Sequence, residues 1–325
     1  MEAAGAFRAK LLSWYRNVRR DLPWRRTPTD PYRIWISEIM LQQTRVAAVI
    51  PYYERFLSRF PNPLSLASAP EQDVLAHWAG LGYYSRARNL QKAASQMPGG
   101  EFPRTYDEIR ALSGIGDYTA AAVASIAYGL PYAAVDGNVL RVIARVENDP
   151  GDIKSPKTRA RFAAIADELL DRDQPGDFNQ AMMELGATVC TPKNPTCLLC
   201  PVREECKGFA AGTQNQLPIK IRDGRTAEVH ITVVIAERDD GALLLRPSKQ
   251  LAGFWELPFD LAGVRDLERV GSFGHQITFR KYTCDVVRGR VGRKVPVGTE
   301  WVARERLAEL PLTTISKKAL RLVDR

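Results

Sequence analysis

The chain is poor in histidine and has no long apolar run. Histidine stands only at His77, His230 and His275, which leaves a Ser-His-Asp constellation without local support. No run of 18 or more apolar residues is present, so nothing reads as a membrane span. The opening stretch MEAAGAFRAKLLSWYRNVRR lacks the apolar h-region of a secretory signal. It reads instead as an amphipathic helix with Phe7, Leu11, Tyr15 and Val18 on one face. The expectation is a cytosolic protein, in which disulfides are disfavoured.

What is present points to two domains and an anionic partner. A length of 325 residues suits two cores. A formal charge of +9 with a pI near 9.4 favours a polyanion. The excess is clumped at Arg16, Arg19, Arg20, Arg25 and Arg26, and again at Arg288, Arg290, Arg293 and Lys294. Four of the five cysteines crowd into CTPKNPTCLLCPVREEC as C-x6-C-x2-C-x5-C: Cys190, Cys197, Cys200 and Cys206. Scattered core cysteines do not cluster this way. Zinc and iron–sulfur clusters both accept four sulfurs, and a single short C-x2-C unit leans the reading to iron–sulfur. Cys284, far away in an apparent strand, reads as a small buried residue.

PYRIWISEIMLQQTR, residues 31 to 45, reads as a helix, with Asp30 as its cap and Pro31 in the first turn. It is apolar nearly all round, yet Glu38 sits in its middle. No Lys or Arg lies three or four residues away to pair with it. Either a partner arrives from elsewhere in the chain, or Glu38 is an acid whose apolar setting keeps it protonated. Further on, LSGIGDYTAAAVASIAYG holds a helix, a turn with Gly114 and Gly116, and a second helix. The N–H groups that open such a helix bind phosphate without side-chain charge. Asp136, in AAVDGNVLRVIARV, starts the next helix and is a good N-cap. A capping carboxylate is also held in place and kept ionised by the helix N-terminus.

Taken in order, SEIMLQQT, GLGYYSRARNL, GIGDYTAAAV, VDGNVLRV, FNQAMMELGATVC and the four-cysteine pattern resemble the MutY adenine DNA glycosylases of the helix-hairpin-helix superfamily. The match runs over roughly residues 7 to 210, with a weaker one to the C-terminus. The resemblance implies a mainly α helix-hairpin-helix glycosylase domain over 1–210. Within it, a [4Fe-4S] cluster sits on Cys190, Cys197, Cys200 and Cys206 (190–206). A linker (211–227) and a small α+β Nudix-like domain (228–325) follow. It also implies excision of adenine mispaired with 8-oxoguanine or guanine in duplex DNA, by a monomer that is nucleoid-associated if bacterial.

The same resemblance gives roles to residues. Glu38 protonates adenine at N7 and handles the hydrolytic water. Asp136 stabilises the oxocarbenium-like sugar. Tyr118 and Asn138 orient the two carboxyls. Trp24, Arg25 and Leu41 belong to the base pocket. Gln43, Thr44, Leu81 and Tyr83 touch or wedge beside the opposite base, and Gly114 and Gly116 bind the backbone. Strand-cutting relatives resembling endonuclease III have lysine at position 118, which forms a Schiff base. Tyr118 cannot, so a monofunctional enzyme is expected.

The second domain frays. EVHITVVIAERDDGALLLRPS reads as a β-hairpin around Asp240-Gly241. The segment after FWELP is short, and no Glu-rich Nudix helix (R-E-x-x-E-E) is present, so nucleotide pyrophosphatase activity is not expected. In SFGHQITFRKY, Phe273 and His275 match the family's Phe-Ser-His loop, which reads 8-oxoguanine, but Gly274 replaces the serine. A backbone amide or a neighbour such as Thr278 is expected to substitute, at some loss of selectivity. Two other readings compete. One is a mismatch thymine glycosylase of the same superfamily, which would have no N7 for Glu38 to protonate. The other is a non-catalytic iron–sulfur protein that only holds duplex DNA.

Overall fold

The computed structural model describes residues 2–26, 28–221, 227–259, 264–277, 279–291 and 297–323. They form two compact units, Met1–Ser68 with Asn89–Arg222, and Ala69–Arg88 with Asp223–Arg325. The helices in chain order are α1 (Glu2–Val18), α2 (Pro31–Leu41), α3 (Val46–Arg59), α4 (Pro63–Ala67), α5 (Glu71–Trp78), α6 (Ser85–Ser95) and α7 (Tyr106–Ala111). They continue with α8 (Asp117–Tyr128), α9 (Gly137–Val146), α10 (Pro156–Leu169), α11 (Pro175–Thr188), α12 (Lys207–Ala210) and α13 (Thr314–Val323). Among the described residues no helix is long and apolar enough to cross a membrane.

The first unit is helical. Phe7, Leu11 and Tyr15 of α1 bury against Val139, Val142 and Ile143 of α9, Phe162 of α10, and Phe178, Met182 and Leu185 of α11. Val18, expected on the same face, stands at the helix end and is exposed. Helix α2 starts as its sequence predicts: Asp30 accepts from the N–H groups of Tyr32 (2.9 Å) and Arg33 (3.3 Å), and Pro31 begins the helix. Every residue from Ile34 to Met40 is buried, which explains the all-round apolar surface. The helix ends at Leu41 and not at Arg45, because Gln43 turns into left-handed backbone (φ 58°).

Helices α7 and α8 form the hairpin. Thr105 and Glu108 make a capping box at the start of α7. Gly114, at φ +76°, reverses the chain where a Cβ would lie 2.6 Å from that of Asn89. Helix α8 then buries Thr119 and an unbroken run of alanines and valine up to Ser125. Those small side chains let α8 pack on α2. Gly186 plays the same part for α11, since a Cβ there would meet that of Asn138 at 2.6 Å.

The second unit carries β1 (Ala227–Ala236), β2 (Leu243–Pro247), β3 (Trp255–Glu256), β4 (Val264–Ile277), β5 (Arg280–Val291) and β6 (Glu300–Val302). They form two sheets, ordered β1-β5-β4 and β3-β2-β6, with β1 parallel to β5 and β4 antiparallel to it. The hairpin predicted around Asp240-Gly241 does not form as a ladder. The turn is there, with Arg238 N–H donating to the Ala242 carbonyl (2.9 Å), but β1 pairs with β5, and Glu237, just past β1, makes an isolated bridge to Leu243 of β2. All three leucines of β2 are buried, so the strand sits inside the unit and not at the edge of a ribbon. Cys284 is fully buried in β5, among Val233, Ile235 and Val286. Thr278, Arg293, Lys294 and residues 222–226 of the expected linker lie outside the described residues.

Replacing Gly186 by Ala should force α11 away from α9 and cost about 1–3 kcal/mol, read as a lower Tm. Gly137→Ala meets open space at a helix start and should leave Tm unchanged or slightly raised.

Candidate active site

Helices α2, α8, α9 and α11 converge on a cavity of about 640 Å³. It brings together Glu38, Tyr118, Asp136, Asn138, Trp24, Arg25, Leu41, Gln43 and Thr44, all singled out from sequence in the first unit. Each arrives for a local reason. Glu38 comes from the middle of α2, Tyr118 from the first turn of α8, and Asp136 caps α9. Trp24 is fixed by an edge contact with Tyr53 at 5.3 Å between ring centres.

Glu38 is buried, and burial pushes its carboxyl up to about 7. The Tyr118 hydroxyl donates to Oε2 of Glu38 and opposes that rise, while the nearby Asp136 charge adds to it. Arg25 also favours ionisation of Glu38 across the cavity. The cation of α2, Arg33, stands exposed near the helix start, five positions before Glu38. The Tyr118 phenol is held well above its usual range by burial, so it remains a donor. Its oxygen also lies 3.3 Å from Sδ of Met183.

Asp136 is set differently. Its carboxylate accepts from Asn138 N–H (2.8 Å), Val139 N–H (2.7 Å) and the Asn138 amide Nδ2 (2.8 Å). Those donors favour the ionised form, but burial outweighs them and the net shift is upward. Asn138 is itself anchored, its Oδ1 accepting from Arg141 Nη2 at 2.7 Å.

Two residues that the sequence reading did not single out support the site. Asn179, from FNQAMMELG, accepts from Ala134 N–H (3.0 Å) and donates to the Ser125 hydroxyl and the Tyr132 carbonyl (both 2.8 Å). It ties the segment leading to Asp136 onto α8. Glu184, 1% exposed, accepts from Arg20 Nε at 2.5 Å and from Arg25 Nη2 at 2.8 Å. A buried acid in a motif with basic residues elsewhere was the available signal, but spacing along the chain does not reveal pairing across about 160 residues.

The other candidates are not among this cavity's lining residues. Gly114 and Gly116 form the hairpin turn, where Asp117 pairs with Arg110 (2.5 Å) at the start of α8. Leu81 and Tyr83 lie in the loop between α5 and α6, in the second unit. Leu81 is buried, while Tyr83 is 44% exposed in left-handed backbone (φ 49°). Trp78 Nε1 and Arg86 Nη2 both donate to the Gly82 carbonyl, at 3.1 and 3.2 Å, and hold the loop. Phe273, Gly274 and His275 lie on β4, where Lys318 Nζ of α13 donates to the Gly274 carbonyl (3.2 Å) and stands 3.4 Å from His275 Nδ1. Burial and the Lys318 charge push His275 down, towards the neutral ring.

Cys190, Cys197, Cys200 and Cys206 line one cavity with Val142, Val146 and Leu185. Among the described residues no group of three or more His, Cys, Asp or Glu stands ready to hold a metal ion. The buried Arg145 reaches the same place, its Nη1 donating to Cys190 Sγ at 3.2 Å and to the Thr191 carbonyl at 2.7 Å. Burial pushes the Cys200 thiol up to about 12 and also raises Cys197 and Cys206, so none is an activated nucleophile.

The raised carboxyl of Glu38 links pH to stability. Below about 4.5 it is protonated whether folded or unfolded, and its contribution is complete; that contribution, about 3 kcal/mol, is lost as pH rises from there through about 7. Glu38→Gln should therefore raise Tm at pH 8, and the difference should close by about pH 4.5 in a thermal melt series.

Residues 36–167 match the HhH-GPD superfamily of base excision DNA repair proteins. The chain is 48% identical over 223 residues to the adenine DNA glycosylase of Homo sapiens, covering 65% of this chain and 41% of that protein. It is 36% identical over 294 residues to that of Arabidopsis thaliana (77% and 47%) and 39% over 218 residues to that of Buchnera aphidicola (66% and 62%). The chain thus spans less than half the length of the human and plant relatives. Among solved structures it is similar to a thermostable thymine-DNA glycosylase (TM-score 0.58, 29% identity, 65% of this chain and 98% of that one). It shares its fold with endonuclease III in a trapped covalent DNA intermediate (TM-score 0.53, 23% identity, 63% and 94%). This superfamily match, this helical fold and this run of adenine DNA glycosylase relatives together support a MutY-family helix-hairpin-helix glycosylase.

Proposed function

We propose that the protein is a monofunctional adenine DNA glycosylase acting on duplex DNA in which adenine is mispaired with 8-oxoguanine or guanine. The observation that carries this reading is the pairing of Glu38, raised to about 7 by burial, with Asp136, held by three donors, on one cavity. Adenine leaves as a neutral base only if a ring nitrogen takes a proton. Glu38 is the group with a proton to give near neutral pH, and N7 is the acceptor by family resemblance. Tyr118 occupies Oε2 of Glu38 and leaves the other carboxyl oxygen for the base. Asp136 faces the positive charge that develops on the sugar, with Asn138 fixing its orientation. Glu38, once deprotonated, takes a proton from the attacking water.

Such a base has to leave the stack to reach the cavity, whose Trp24, Arg25 and Leu41 would hold it. The hairpin turn at Gly114 and Gly116 would bind phosphate through backbone N–H groups, and the excess of basic residues supports duplex binding. Gln43, Thr44, Leu81 and Tyr83 would meet the opposite strand or fill the stack. We read 1–210 as the catalytic domain, 211–227 as linker and 228–325 as a shortened Nudix-like domain that inspects the opposite base, in a monomer. There Phe273 and His275 flank Gly274, and Lys318 is the donor found beside the glycine. Thr278, the expected substitute, lies outside the described residues.

The cysteine cavity fits a [4Fe-4S] cluster. Its donor set is all sulfur, its wall is apolar, and a buried guanidinium on Cys190 can balance an anionic centre. Cys190, Cys197, Cys200 and Cys206 would hold it, and when bound it would order the loop through four iron–thiolate bonds.

Single-turnover assays should show adenine release from duplexes with 8-oxoguanine or guanine opposite, and no thymine release opposite guanine. The strand should stay intact until heat or alkali is applied. Glu38→Gln should lower the rate by about 10²-fold or more while leaving duplex affinity unchanged. An equal loss of affinity would make Glu38 structural. Gly274→Ser, whose Cβ meets open space, should widen the preference for 8-oxoguanine over guanine in the same assay. Cys200→Ser, or chelation of iron from the unfolded chain, should remove bound iron by elemental analysis and lower Tm.

A further inference from the structure

Glu184 is a buried acid on the cavity wall that the chemistry above leaves unused. Its carboxylate takes Arg20 by a fork, Nε to Oε1 at 2.5 Å and Nη2 to Oε2 at 3.0 Å, and takes Arg25 Nη2 on Oε2 at 2.8 Å. Both arginines precede α2, while Glu184 comes from α11. Arg25 is further restrained by Nη1 donating to the Arg20 carbonyl (3.2 Å) and by the Tyr15 ring 5.5 Å beneath its guanidinium. All four charged side chains, Arg20, Arg25, Glu184 and Glu38, line the same cavity. A guanidinium released there would have a second carboxyl to bind, and a fork-shaped cation binds a carboxylate far better than a carboxylic acid.

The groups that face Glu38 come from every wall. They are Tyr118 of α8, Asp136 at the start of α9 and Arg25 from the turn Pro23–Arg25, with Arg20, Glu184 and Arg159 also on the lining. Asp136 disfavours a charged Glu38, Tyr118 favours it through one hydrogen bond, and Arg25 favours it at a distance. Arg25 is therefore the cation able to strip Glu38 of its proton, and Glu184 is what occupies it.

We propose that Glu184 is a positioning residue: by holding Arg20 and Arg25 on its own carboxylate it keeps Arg25 from pairing with Glu38, which then retains its proton for the base. The last clause rests on the proposed role of Glu38 as the acid. The first does not, and the test separates them. In the full chain, comparing thermal stability against pH for the protein with and without Glu38→Gln locates the ionisation of Glu38 without any catalysis. In a Glu184→Gln background that midpoint should fall by about one unit or more. The alkaline limb of single-turnover adenine release should move by the same amount, about fivefold slower at pH 7 for a one-unit fall.

An unmoved midpoint would overturn the proposal and leave Glu184 as a packing residue. A midpoint that falls while the rate profile stays put would uphold the positioning role and overturn Glu38 as the acid. Adding Arg25→Gln to Glu184→Gln should restore the original midpoint, and a midpoint that stays low would again overturn the proposal. Should Glu184→Gln not fold, Glu184→Asp keeps the charge on a shorter stem. It should give a smaller shift in the same direction, and no shift counts against the proposal.

Discussion

A carboxyl in the middle of a buried helix is tolerable only if it is neutral or fully satisfied. Glu38 meets that condition through a carboxyl that burial raises to about 7, which keeps a large share of it neutral, and by accepting one hydrogen bond from Tyr118. Much of the first unit follows from the arrangement. Helix α2 is apolar on all sides because it is wrapped on all sides. The small residues of α8 allow the approach that brings Tyr118 onto it, and the reversal at Gly114 aims α8 at that spot.

The second acid shows how two like groups are set apart within one cavity. Asp136 is buried too, but it caps a helix and accepts three N–H bonds, two of them from that helix's own backbone. Glu38 has one donor and an apolar wall. Different numbers of donors, and not different residue chemistry, set the two carboxyls apart. Glu184 adds a third environment, in which a buried carboxylate is kept ionised by two guanidiniums and its ordinary value is lowered. Three carboxyls on one cavity thus differ only in what surrounds them. Asn179, Asn138 and Gly186 belong to the same logic at one remove, since each fixes the backbone or the amide on which Asp136 depends.

The C-terminal unit is organised by burial and not by chain neighbourhood. Strand β2 is apolar on both faces and lies between β3 and β6, while β1 pairs in parallel with β5. A local turn at Asp240-Gly241 is compatible with a hairpin but does not require one, because the strand partner is chosen by the faces each strand must bury. Lys318 beside Gly274 has the same origin: a residue more than forty positions away reaches the glycine only because α13 packs on β4.

Local features of the sequence determined a good deal by themselves. The cap at Asp30, the box at Thr105, the glycine at 114, the cap at Asp136 and the cluster of four cysteines each act over a few residues, where spacing and chemistry are one and the same. The unpaired Glu38 on an apolar helix was visible as an anomaly for that reason. What only the tertiary structure decided is who faces it. Tyr118 from eighty positions away, the end of α2 at Leu41, the seizure of Arg25 by Glu184 and the pairing of β1 with β5 all depend on packing between distant segments. Protonation, pairing and register respond to burial and to neighbours in space, and a linear pattern records neither.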